Sequence, residues 1–475
     1  MMIMKQRKMN LVYLLLIAVF VLSSCAKTTK NARLIPADAA VVSIDVKQMF
    51  EKSKLGDNEE AKKKLLEQIE SNAKTQEAKD LVKKIVEDPA KAGVDLREPL
   101  YLYATKSGEQ AVVGTILDKG DFTEFANAVA KEANIEAVKE KDGLQYLEDK
   151  RDVIVFDDDA FIISEGKKLD DVIAKFKNDD TKGTMADESE DFAALLDGKG
   201  YIKALVPMTI LEDAIDAKAK QALPEGAELK DLSLLINVTS DKGVANINFE
   251  SLVKSDAWKE YIKNSTDICG KIDGDYLKYI QKGAFLMYAN FNGKKLYELL
   301  EEKEVFKQVG AESQKDIAKK ILESVDGDFA IGVGQGNGPI PEVAAYIKTK
   351  DGSINDFAKE NGLKPEKGMD FGYKDGTTYV AVGESAAFTE AKEGYDKGTV
   401  KGHRVYLFCD IKTISTLVSA IDRRSARQME PVAEYVNTVE FYDTSDTAGE
   451  FVLKLKDTEK DPIEFIAQLF LQQIM

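Results

Sequence analysis

Asp80-Leu-Val-Lys-Lys-Ile-Val-Glu87 returns later in the chain as Asp316-Ile-Ala-Lys-Lys-Ile-Leu-Glu323. Both stretches place apolar residues at helical spacing beside lysines, the pattern of an amphipathic helix. An apolar strand follows each: Pro99-Leu-Tyr-Leu-Tyr103 and Phe329-Ala-Ile-Gly-Val333. A hairpin partner comes next, Ala111-Val-Val-Gly-Thr-Ile-Leu117 and Val343-Ala-Ala-Tyr-Ile347, and then a helix opening on Asp121-Phe122 or Asp356-Phe357. Further on, the turn Val238-Thr-Ser-Asp-Lys-Gly243 matches Asp443-Thr-Ser-Asp-Thr-Ala-Gly449 with one inserted residue. Each turn leads into a strand of alternating apolar residues and then a closing helix, at Asp256 and at Asp461-Pro462.

Agreement in element order points to internal duplication. The expected fold is α+β: two similar lobes, each an antiparallel sheet with helices packed on one face. The expected lobes are 34–265 and 276–475, with Gly270 to Asp275 as the joint because Gly and Asp favour turns. A strand ending at a polar residue before a helix recurs at Asp45, Asn290 and Asp410, and again at Tyr201 to Pro207. These Asp and Asn residues read as helix caps; the functional alternative is a shared site at strand ends.

The N-terminus decides the address. Lys5, Arg7 and Lys8 precede an apolar run of 12 residues, Leu11 to Leu22, shorter than the roughly 20 that a membrane span needs. The run ends Leu22-Ser23-Ser24-Cys25, which resembles the bacterial lipobox. That resemblance implies cleavage of residues 1–24 and acylation of Cys25, with residues 25–33 as a short tether reaching about 28 Å at most. Two or more acyl chains anchor a protein stably at about 0.8 kcal/mol per buried CH2.

Net charge is −17, and the leader would take three basic residues with it. So acidic a chain is unsuited to nucleic acid or to electrostatic adhesion on an anionic membrane. With 44% apolar and 31% charged residues, it can bury a substantial core. After Cys25 the only cysteines are Cys269 and Cys409, too few for a disulfide framework or a cysteine metal cluster, with a single bridge between them left open.

Motifs that suggest chemistry have plainer readings. His403 is the single histidine and starts a strand, where the first lobe has Tyr201; a structural role accounts for both. Gly332-Val-Gly-Gln-Gly-Asn-Gly338 lacks a following Lys-Ser/Thr and a helix, so it reads as a hairpin loop rather than a phosphate cradle. Asp157-Asp158-Asp159 reads as a tight acidic turn, since an EF-hand would need Gly where Ile162 stands. Asp187 to Asp191 reads as a helix-initiating run, and Trp258 as part of a buried helix face. The expected catalytic, cofactor-binding and metal-binding sets are therefore all empty.

Ile35-Pro36-Ala37-Asp38-Ala39 running into Val41-Val42-Ser43-Ile44-Asp45, behind a lipobox, resembles an uncharacterised family of gut Bacteroidetes lipoproteins filed as a domain of unknown function. The resemblance implies a location and no reaction. Ala26 to Asn31 lacks the acidic residues that mark surface-exported lipoproteins of that group. The resemblance thus implies the periplasmic face of the outer membrane, with the cell surface as the alternative. The expected role is non-catalytic binding or scaffolding of a protein, peptide or small molecule in a cleft or on a face between the lobes. The alternative is a carboxylate-based hydrolase acting on an envelope or extracellular polymer.

Overall fold

The computed structural model describes residues 30–467, apart from 55–58, 60–62, 64–65, 68–72, 150–151, 179–180, 188–189, 216–222, 303, 309–310, 335–340, 367 and 384–386. The leader and Cys25 lie outside the described residues. The fold is α+β with antiparallel strands throughout, and the chain divides into two compact units. The first holds residues up to 215 together with 228–242 and the segment from 459; the second holds 216–227 and 243–458.

The described part of the first unit opens on a short helical turn. Lys30–Leu34 forms a 3-10 turn in which Ala32 and Leu34 are buried. Asn31 donates to Thr115 Oγ1 at 2.7 Å and Arg33 to the Phe176 carbonyl at 3.0 Å.

Among the described residues, the first unit's strands are β1 (Ala40–Ile44), β2 (Leu100–Ala104), β3 (Gln110–Thr115), β4 (Lys139–Lys141), β5 (Leu144–Glu148), β6 (Asp152–Phe156), β7 (Ala160–Glu165), β8 (Ile202–Pro207) and β9 (Leu232–Asp241). Their spatial order is β4-β5-β6-β7-β3-β2-β1-β8-β9. Helices cover both faces, not one. Leu81, Val82 and Ile85 of Gln76–Glu87, with Phe122, Phe125 and Val129 of Lys119–Ala133, pack with Leu100, Phe156 and Phe161. On the opposite face Phe192 of Glu190–Asp197 lies 5.9 Å from the Tyr101 ring, and Lys175 of Leu169–Lys177 reaches Tyr103. The cause is in the strands. Val153 to Phe156 and Ala160 to Ile162 are buried at every position, so neither face tolerates water.

That second face carries a buried ion cluster. Glu109, only 5% exposed, accepts from Tyr103 Oη at 2.6 Å and from Lys175, with Lys167 at 3.6 Å. Burial pushes its carboxyl up, but bonds from Lys175 and Tyr103 and the two lysine charges outweigh this, leaving it below the ordinary 4.5. A carboxyl depressed on folding contributes stability that is present above its unfolded value and lost as pH falls through the folded one. Glu109→Gln is expected to cost about 3 kcal/mol at pH 7. In urea melts followed against pH, its gap to wild type should close below pH 4.5.

The second unit holds β10 (Val244–Val253), β11 (Phe285–Asn292), β12 (Val325–Gly334), β13 (Glu342–Thr349), β14 (Met369–Lys374), β15 (Thr377–Val382), β16 (Val405–Asp410), β17 (Val436–Asp443) and β18 (Ala448–Leu455). Their order is β14-β15-β13-β12-β11-β16-β17-β18-β10. Register aligns Tyr442, Tyr406, Tyr288, Ala330, Tyr346 and Tyr379 in one row across six strands. Tyr276, Tyr279, Phe388 and Tyr395 close over that face. Gly332 is glycine because a Cβ there would collide with Ile280 of this cover.

Candidate functional site

The first unit contains an elongated apolar cavity of about 570 Å3. Its floor follows from register. Val42, Leu102, Val112, Ile163, Ile154 and Leu147 are successive cross-strand partners on β1, β2, β3, β7, β6 and β5. Opposed residues in a sheet point to the same side, so these six make a continuous row. At about 4.8 Å per strand the row runs about 24 Å. All six line the cavity.

The rows on either side explain why a cavity forms here. One row inward, Phe161 and Phe156 are buried beneath Phe122, at ring distances of 4.9 and 4.8 Å. One row outward stand Ala40, Ala104, Gln110, Glu165 and Asp152, polar toward β7 and β6. Helix Lys119–Ala133 covers the inner row and then stops, its cap Asn134 turning left-handed at φ 58°. Val129, Ala133 and Ile135 overhang the middle row. Val42, Leu102, Val112 and Ile163 consequently stay half-buried, although their side chains are as apolar as those of the core.

Glu132 sits at this overhang. It is nearly fully buried and its carboxylate accepts from the Lys74 N–H at 2.9 and 3.0 Å, the Thr75 N–H at 2.9 Å and the Thr75 hydroxyl at 3.0 Å. Thr75 in turn caps helix Gln76–Glu87 through Ala78 N–H. The carboxylate thus ties the start of one helix to the end of another beside the cavity, as a structural clamp.

A smaller cavity of about 350 Å3 lies in the second unit, lined by Asp273, Asp275, Asp326, Asp328, Lys348 and Lys350 among others. Two of its carboxylates are held by close partners. Asp275 pairs with Lys397 at 2.5 Å. Asp328 accepts from Tyr288 Oη and Asn290 Nδ2, each at 2.8 Å, and from the N–H groups of Asp273 and Gly274 at 3.2 and 3.0 Å. Among the described residues no group of His, Cys, Asp and Glu is arranged to hold a metal ion.

The residues singled out in the sequence sit elsewhere. Asp45 and Asp410 are caps, accepting from Gln48 N–H at 2.9 Å and Thr413 N–H at 2.7 Å. Asn290 is not a cap: β11 continues to Asn292, whose side chain accepts from Lys295 N–H at 3.0 Å, while Asn290 donates to Asp328. His403 donates from Nδ1 to the Asp443 carbonyl at 2.7 Å, with its ring 4.7 Å from Tyr442. Asp157 folds back on the N–H groups of Asp159 and Ala160, each at 2.8 Å. Trp258 is buried, and Cys269 and Cys409 are free thiols that burial pushes up in pKa. Residues 335–338 of the glycine-rich stretch lie outside the described residues.

The family model for the domain of unknown function DUF4836 matches residues 31–370. The chain belongs to this family. The DUF4836 match takes in every strand that lines the cavity. No curated protein matches the chain. Two crystal forms of TP0453 are similar to it at 12% and 11% identity, over 52% and 46% of this chain and 90% and 80% of theirs. Their TM-scores are 0.29 and 0.26. Among the described residues of this DUF4836 chain, no helix is long and apolar enough to cross a membrane.

Sequence reasoning missed the cavity residues. Each is an ordinary apolar strand residue in its own segment. Only pairing across six strands sets them in a row, and only the length of Lys119–Ala133 leaves that row uncovered.

Proposed function

We propose that this protein is a non-catalytic binding protein of the cell envelope, anchored through a lipid on Cys25, and that its first unit holds a single alkyl chain. One observation carries the ligand class: a 570 Å3 cavity whose floor is an unbroken apolar row about 24 Å long. Its volume falls within the roughly 300–1,000 Å3 of small-ligand sites. The shape suits an extended chain better than a compact one, and each methylene buried there is worth about 0.8 kcal/mol. Gln110, Glu165 and Asp152 along the outer row would leave a polar head in water. The short stretch read as a tether after Cys25, about 28 Å at most, would hold the body close to its leaflet. The proposed face is periplasmic, on the outer membrane.

The two units are taken as repeats. The order β6-β7-β3-β2-β1-β8-β9 in the first corresponds to β14-β15-β13-β12-β11-β16-β17 in the second, with β4 and β5 an addition to the first.

The reading is tested by photolabelling the purified protein with a diazirine-bearing C16 fatty acid and mapping the labelled peptides. Label should concentrate on peptides containing Leu102, Val112 and Ile163, and unlabelled fatty acid should compete it away. Diffuse labelling that resists competition would refute the assignment.

A further inference from the structure

We infer that the chain is a fused pair of repeats that have exchanged their closing helices, so that each half of the sequence completes the unit built mainly by the other. The inference uses the repeat reading above but is independent of any ligand.

β10 and helix Asp256–Ile268 precede the joint at Gly270 to Asp275, so they belong to the first half of the sequence. Both nevertheless lie in the second unit. β10 pairs with β18 from Val244↔Lys454 to Glu250↔Ala448. Helix Asp256–Ile268 packs beside helix Gly293–Glu302, where Asp267 and Lys295 stand 3.8 Å apart. The reverse holds for the end of the chain. Residues from 459 belong to the first unit, where Asp461 accepts from Lys52 Nζ at 2.9 Å and from Ser240 Oγ at 2.6 Å. Lys52 lies in helix Val46–Ser53, which follows β1, as Gly293–Glu302 follows β11. Helix Asp256–Ile268 and the segment opening at Asp461 thus each meet the helix that follows the first strand of the other half's unit.

The chain leaves the units at matched points. It passes from the first unit to the second between Lys242 and Gly243, and back between Thr458 and Glu459. Lys242 and Glu459 are 3.3 Å apart in the first unit. In the second, Gly243 accepts from Leu455 N–H at 2.7 Å, and a Cβ on Gly243 would lie 2.7 Å from Thr458 Cα. With φ at +69° and backbone this close, the crossing requires glycine. Reciprocal donation makes the association of the halves part of folding, as in a domain-swapped dimer joined into one chain.

Two experiments on the full chain test this. A protease site inserted between Gly270 and Lys271 is cut under native conditions, after Trp258 emission shows that the uncut variant is folded. The halves should stay together on size exclusion and separate only in denaturant. Separation in native buffer would overturn the inference. Should the insertion unfold the protein, hydrogen exchange on Asp461→Asn decides. Amides of Val46–Ser53, in the opposite half of the sequence, should exchange at least tenfold faster. Loss of protection confined to residues 243–458 would overturn the inference equally.

Discussion

Ala104→Trp should abolish high-affinity alkyl binding while leaving the protein folded. Ala104 stands on the outer row of the cavity floor, opposite Ala40 on one strand and Gln110 on the other. An indole there projects into open volume, so the usual overpacking cost of about 1–3 kcal/mol is largely avoided. The ligand loses what the indole takes. Excluding only two methylenes removes about 1.6 kcal/mol at 0.8 per CH2, already more than tenfold in affinity. Titration of a fluorescent C16 acyl probe into wild type and variant checks the expectation, with urea midpoints confirming that both are folded. Undiminished affinity in a folded variant would place the ligand elsewhere.

Asp328→Ala should be the most destabilising single substitution in the second unit. The buried carboxylate accepts four hydrogen bonds from Tyr288, Asn290, Asp273 and Gly274. It thereby pins the 272–276 segment onto the tyrosine row. Bonds to a charged acceptor contribute about 1.5–3 kcal/mol each, and truncation strands buried donors besides, so a loss of at least about 4 kcal/mol is expected. Asp328→Asn should fare little better, because an amide turns one acceptor oxygen into a donor facing donors. Trp258 is the protein's only tryptophan and is buried in this unit. Its emission during urea unfolding therefore reads the effect directly. A midpoint within about 0.5 kcal/mol of wild type, the range of ordinary surface substitutions, would contradict the role given to Asp328.

Local features of the fold were legible because local chemistry sets them. Asp45 and Asp410 read as caps from type and place alone. The acidic turn at Asp157 and the turn before Gly243 read from residues that favour tight backbone. Asn290 misled by two positions because the apolar run persists through Phe291, carrying the strand to Asn292 before the helix can start. Burial on both faces of the first sheet was present in the unbroken run Val153-Ile-Val-Phe156, though alternation elsewhere suggested a single buried face. Strand order and the crossings at Gly243 and Thr458 depend on pairings between distant segments, which no local pattern encodes. The cavity was hidden for the same reason. Leu102, Val112 and Ile163 look like core residues in their own strands, and they line a site only because helix Lys119–Ala133 ends at Asn134.

Alkyl-chain binding is measured most directly by calorimetric titration of a C16 fatty acid into the purified, delipidated protein. One saturable site per chain with micromolar or tighter affinity, and a negative heat-capacity change as apolar surface is buried, is the predicted result. Heats that never saturate, or a site that persists unchanged in Ala104→Trp, would contradict it.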